Sequence, residues 1–250
     1  MNEPMMDHLP ELPEELRKAQ PPHFDAALEN KSLNSAFLQM GAGLLVTAAT
    51  SFIFYATGLY ALFFQIPMLA LILMIGQLGI AVAFGAAMNK ASVATMRAMF
   101  YGYAVLTGIT FSSLAAVYTG STLFTAFLIS SVYFFCLAFV GMTTKRDMSK
   151  IGTFCLVALI ALLVSQLLMM LFGTPMSVRL YSILGLLIFT GITVWDVSRM
   201  KKILALNFED GVTAQKLSTF FALQLYLDFV NIFLYVLRLV AAGSGSSSRR

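Results

Sequence analysis

Asp228 stands in the run Leu223-Gln224-Leu225-Tyr226-Leu227-Asp228-Phe229-Val230-Asn231-Ile232-Phe233-Leu234-Tyr235, and Asp196 in Thr193-Val194-Trp195-Asp196-Val197-Ser198-Arg199. Both runs are apolar enough to lie in a bilayer, where an ionised carboxylate costs about 2.5–3.5 kcal/mol on insertion scales and more by other estimates. Two close carboxylates in a low-dielectric site do not both ionise cheaply, so they share a proton, and such a pair works as a pH-dependent latch. With both ionised, the pair is an all-oxygen site suited to transient Ca²⁺. The same two groups serve as general acid and base in an aspartyl protease. Plainer readings stand beside these. Asp228 can be a structural hydrogen-bond acceptor or a partner of Arg238, and Asp196, beside Arg199 and Lys201, can be an interfacial charge at a helix end.

The spacing around Asp228 narrows what it faces. Gln224, Asp228, Asn231 and Tyr235 follow one another at intervals of 4, 3 and 4, which puts all four on one stripe of a helix. Lipid cannot satisfy that stripe, so it must face protein or water, with Gln224, Asn231 and Tyr235 lining a path or supporting the aspartate. Asp228 lies 12 residues beyond Lys216, roughly 18 Å along a helix and past the middle of a hydrocarbon core about 30 Å thick.

The elements that carry these residues are membrane spans. Hydrophobic residues make up 59% of the 250 and charged residues 11%, with a mean hydropathy of +0.83; a soluble domain would carry about 25% charge. Seven stretches reach the roughly 20 apolar residues a spanning helix needs: Ala36–Thr57, Ile66–Ala87, Ala98–Tyr118, Thr122–Met142, Gly152–Phe172, Ser177–Val197 and Leu217–Val240. Short connections make them one helical domain, residues 36–240. An acidic tail, residues 1–35, precedes it; its Pro10, Pro13, Pro21 and Pro22 suggest disorder. A polar Gly/Ser end, residues 241–250, follows. No cleavable signal peptide is expected, since Met1 to Gln39 is polar and acidic.

Lysine and arginine set the expected orientation. Twelve of the sixteen bases fall in the tail and the second, fourth and sixth connections, and four on the other side, which places the N-terminus in the cytoplasm. Gln224 and Asp228 interrupt the last segment, so it either crosses or dips in and returns. Seven of the twelve acids lie in the tail, so the net charge of +4 reflects loop topology and not nucleic-acid binding. Cys136 and Cys155 sit in apolar runs and read as small buried hydrophobes. His8 and His23 are both in the tail, which leaves no zinc constellation in the spans. The recurrent glycines Gly41, Gly43, Gly76, Gly79, Gly85, Gly102, Gly108, Gly185 and Gly191 read as helix-packing positions more readily than as hinges.

Several motifs carry a resemblance to a family. The loop Thr143-Thr144-Lys145-Arg146-Asp147-Met148-Ser149, the run Trp195-Asp196-Val197, the run from Ala222 to Asn231, and Leu106 to Ser113 with Val117-Tyr118-Thr119-Gly120 resemble bacterial members of the Bax inhibitor-1, or transmembrane Bax inhibitor motif, family. The similarity extends from about Gly41 to Leu239 and leaves out the tail. It implies an all-α fold of seven transmembrane helices, six of them around the seventh. It further implies a pH-sensitive calcium leak controlled by an aspartate pair corresponding to Asp196 and Asp228, in a bacterial inner membrane. Family members also include modulators of a membrane-anchored AAA protease and proteins linked to cell-death suppression, and so imply an alternative as a membrane interaction protein. Related chains often carry an arginine near the end of the second helix, where this sequence has Ala87; Lys90 or Arg97 is the base that would substitute in holding the aspartates.

No enzyme activity and no resident cofactor are expected, Ca²⁺ being a permeant ion. An intramembrane aspartyl protease would have Gly-x-Gly-Asp, whereas Tyr226 and Leu227 precede Asp228, and no span holds the mid-helix lysine of a retinal protein. The expected partners are the lipid bilayer and, in the interaction reading, a membrane protease or other membrane protein.

Overall fold

A computed structural model describes residues 26–66, 68–88, 90–172, 177–205 and 211–247. Seven long helices follow in order: α1 Ala26–Ala56, α2 Leu69–Ala87, α3 Val93–Val117, α4 Gly120–Thr143, α5 Ser149–Leu171, α6 Val178–Leu204 and α7 Gly211–Ser247, with a 3₁₀ turn and one α turn, Leu59–Gln65, between α1 and α2. All seven contain a stretch long and apolar enough to cross a membrane, so the chain is an integral multi-pass membrane protein. Within its most apolar stretch α7 has 72% of its residues buried, against 44% in α6 and 6% in α2. The seventh helix is therefore the central one. It is held by α1, α3, α4 and α6, while α5 packs on α6 and α2 on α3.

The ends of the helices differ from the hydropathy windows for identifiable reasons. α1 begins at Ala26, ten residues before the expected Ala36, because Ala26–Ser35 continues the helix with polar residues. Residues 1–25 of the expected tail lie outside the described residues. α6 runs past Val197 to Leu204, its last turn carrying Lys201 and Lys202, where cations suit a helix C-terminus. α7 is one unbroken helix of 37 residues, about 55 Å long; a segment that dips in and returns would need a break, and it has none. The same helix carries through the Gly/Ser end as far as Ser247, so residues 241–247 are not a separate tail, and 248–250 lie outside the described residues.

Helix starts match local chemistry. Ser92 caps α3 by accepting from the Thr95 amide at 3.1 Å, and Thr119 caps α4 by accepting from the Thr122 amide at 3.3 Å. Asp147 accepts from the Ser149 hydroxyl at 2.7 Å and amide at 3.1 Å at the start of α5. These bonds hold its carboxyl below the usual carboxylate range. Its contact with Lys202 at 3.8 Å is solvent-exposed and adds little.

The centre is tied by hydroxyl chemistry. Tyr226, fully buried, meets Thr47 Oγ1 at 2.6 Å, and that hydroxyl also lies 2.9 Å from the Ala104 carbonyl and 3.0 Å from that of Gly43. The threonine proton serves a carbonyl, so the tyrosine donates. The Tyr226 ring sits edge-on between Phe100 and Tyr103. On the outer layer, Gln77 of α2 donates to Thr107 of α3 at 3.0 Å.

The glycines divide. A Cβ at Gly43, Gly108, Gly185 or Gly191 would meet another helix's atoms within 2.6 Å, as packing requires, whereas Gly41, Gly76, Gly79, Gly85 and Gly102 have open space around them. Gly108 is the tightest against backbone, with the Thr47 carbonyl and the Thr50 Cβ both at 2.6 Å from where a methyl would go. Gly108→Ala is expected to lower the unfolding midpoint in detergent, by about 1–3 kcal/mol of stability; an unchanged midpoint would contradict this α1–α3 contact. Cys155 is buried, 8% exposed, but Cys136 is exposed on α4, contrary to the reading of both as buried. It belongs to the same outward surface as Val132, Phe135 and Phe139, where lipid accepts a small apolar thiol.

Candidate functional site

α6 and α7 run antiparallel, and their contacts fix the register. A Cβ on Gly185 would strike the Tyr235 ring, and the Phe189 and Tyr235 rings are 5.8 Å apart. Two helical turns further along, this register brings Thr193 and Asp196 of α6 beside Asp228 of α7. The Thr193 hydroxyl lies beside the Asp228 carboxyl, and the Asp196 charge reaches it. Asp228 is 3% exposed, Asp196 5% and Thr193 0%. Asp196 is therefore packed inside the bundle, although Arg199, Lys201 and Lys202 follow it within two turns at the end of α6. Its neighbour Trp195 turns the other way, its ring filling the space over Gly152 of α5.

The buried polar atoms here are short of partners. Asp196 Oδ1, Asp228 Oδ2, Thr193 Oγ1, Gln224 Oε1 and Ser182 Oγ are shielded from solvent and make no well-aligned hydrogen bond. All five belong to α6 and α7. Buried polar groups left unpaired cost roughly 1–3 kcal/mol each, so a protein retains such a group of them where water, a proton or an ion has a use for it. Ser182 lies three turns along α6 from Thr193 and stands apart; Asp196, Asp228 and Thr193 form the all-oxygen set of the kind a hard cation takes. Among the described residues no three His, Cys, Asp or Glu side chains gather to hold a metal.

The four-residue stripe of α7 proves to be two surfaces. Asp228 and Tyr235 are buried, while Gln224 and Asn231 are half-buried and continue a partly open strip with Phe220, Leu227, Leu234 and Arg238. At one end of this strip Phe220 stacks on Phe84 of α2, and the Lys216 ammonium donates to the Met88 carbonyl at the end of α2. Asn231 donates to the Leu227 carbonyl of its own helix at 2.8 Å, so it satisfies itself locally and does not reach the aspartates. Tyr235 lies beyond Asp228, away from the basic end of the bundle, among Tyr181, Phe189 and Gly185.

The expected latch bases are not at the pair. Lys90 and Arg97 are exposed around the α2–α3 connection, and neither is among the charges that reach the aspartates. Arg199, one turn from Asp196 on the same helix and stacked over Trp195 at 5.4 Å, is the cation whose charge does. Helix periodicity explains this: residues three apart share a face, whereas the α2–α3 turn emerges at the bundle surface. Arg238 lies over the rings of Tyr181 and Tyr235, at 5.7 and 5.8 Å, in place of a pairing with Asp228. Sequence reading passed over Ser182 as a site residue and quoted Thr193 only as a neighbour of Asp196. A hydroxyl inside an apolar run is the available signal, since it too needs a partner in the membrane.

Residues 29–245 match the family model described as inhibitor of apoptosis-promoting Bax1. An uncharacterized protein of Borreliella burgdorferi is 34% identical over 215 residues, covering 84% of this chain and 91% of that protein. One from Deinococcus radiodurans is 36% identical over 200 residues, covering 80% and 85%. The inner membrane protein YbhL of Escherichia coli K12 is 31% identical over 204 residues, covering 80% and 86%.

Proposed function

We propose that this chain, which belongs to the Bax inhibitor-1 family, is a pH-sensitive calcium leak of a bacterial inner membrane, gated by Asp196 and Asp228. The observation that carries the reading is the group of shielded oxygens on Asp196, Asp228 and Thr193 where the two most buried helices of a membrane bundle adjoin. A proton shared by the two carboxylates keeps net charge at the site low and α6 packed on α7. A change in that protonation changes the repulsion between them and shifts the balance between closed and open arrangements. In the ionised pair, Asp196 and Asp228 attract a divalent cation, with Thr193 offering a neutral oxygen beside them and Gln224 one turn away along α7. Arg199 counters the charge on Asp196 when no cation is near. Calcium uptake into proteoliposomes, compared between the chain and its Asp196→Asn and Asp228→Asn forms, tests the proposal; uptake indifferent to both substitutions removes it.

The inner-membrane location is supported by the name of the Escherichia coli relative. A cytoplasmic N-terminus is supported by the twelve-to-four distribution of bases.

A second reading has its own observation, the tail with seven acids and three bases before the first span. An acidic segment of this kind is a handle for a partner such as a membrane-anchored protease. Deleting Met1–Gln20 is expected to leave calcium uptake unchanged if the chain is a leak. A deletion that alters partner turnover and reveals no calcium uptake in either form would favour the interaction protein.

A further inference from the structure

Tyr235 divides the buried α6–α7 contact. On one side of Tyr235 lie Asp228, Thr193 and Asp196, each at most 5% exposed; on the other α7 reaches Arg238, which is half-buried. Tyr235 itself is 5% exposed and fills the space that a side chain would take on Gly185: an added Cβ would come within 2.3 Å of its ring carbons. The ring is packed between Phe189 and Tyr181, and the Arg238 guanidinium lies over both tyrosine rings. The fully buried Ser182 hydroxyl, one helical turn from Gly185, has no partner. A polar atom thus waits beyond the ring as well as before it.

The geometry points to Tyr235, seated on Gly185 and pinned by Arg238, as the constriction that closes the polar core toward the face opposite the basic loops. It decides what reaches Asp228 from that side. The seat must be glycine because the ring occupies the position of a methyl group. The ring is the movable partner, being the far end of a side chain, so Gly185→Ala displaces Tyr235 and opens the constriction. Arg238 has a second effect there: a fixed cation at the mouth raises the local barrier to cations and is offset by the quadrupoles of the two rings it covers.

This rests on reading the core as a path, but closure can be measured without calcium. Thr193→Cys in a Cys136→Ala, Cys155→Ala chain puts one thiol beside Asp228. Its reaction with a charged, membrane-impermeant methanethiosulfonate is followed in intact cells and in inverted membrane vesicles. The thiol should be nearly unreactive in this parent and in Tyr235→Phe, which keeps the ring. Gly185→Ala and Tyr235→Ala should each raise the rate at least tenfold, and only from the face opposite the basic loops. Either substitution decides the matter alone if the other fails to fold. An unchanged rate in a folded variant overturns the proposal, and so does an equal rise from both faces, which would signify general loosening. Labelling that follows this pattern in a chain without calcium uptake would retain the constriction and reject the leak.

Discussion

Tyr226→Ala is expected to destabilise the bundle by about 3 kcal/mol or more, the usual cost of truncating a fully buried aromatic residue. Lipid is as apolar as the core, so most of this loss is packing and not transfer from water. The ring touches α3 edge-on through Phe100 and Tyr103, and its hydroxyl reaches α1 at Thr47. Removing it leaves a void where three helices meet and takes away the donor to Thr47. Tyr226→Phe keeps the packing and loses only the hydrogen bond, for which about 0.6–1.7 kcal/mol is expected. Denaturant or thermal unfolding in detergent separates the two. Equal losses for both variants would mean that the hydroxyl, and not the ring, holds the centre.

Asp228→Asn carries the second large effect. In the proposed leak it removes one of the two buried carboxylates of the core and leaves Asp196 without a partner for its proton. Calcium uptake should fall by at least about tenfold, equivalent to roughly 1.4 kcal/mol in the barrier. Asp196→Asn should do the same. The double substitution should lose scarcely more than either single one, because two groups acting as a unit are not additive. Losses that simply multiply would describe two independent charges along a path, without a shared proton.

Much of this arrangement can be read from the chain. The seven spans follow from stretches of about 20 apolar residues, and the stripe through Asp228 from intervals of 4, 3 and 4. Helix ends are less legible, because hydropathy marks where lipid begins and not where backbone hydrogen bonding stops. Ala26–Ser35 and Arg199–Lys202 are polar and helical all the same. Spacing on one helix also carries no register between helices. It therefore groups Asn231 and Tyr235 with Asp228, although Asn231 bonds its own backbone and Tyr235 packs on Gly185. Nor does composition distinguish Gly185, which seats a ring, from Gly76 or Gly79, which meet nothing. The central place of α7 is implied by the family resemblance more than by its own pattern, since nearly all its faces are apolar.

The most direct measurement of the central claim is calcium uptake into proteoliposomes as the pH is stepped from 6 to 8, with the unaltered chain beside Asp196→Asn and Asp228→Asn. A gate built on a shared proton predicts uptake that changes across this range in the unaltered chain and is flat in both variants. Uptake that keeps the same pH dependence after either aspartate is replaced would contradict it.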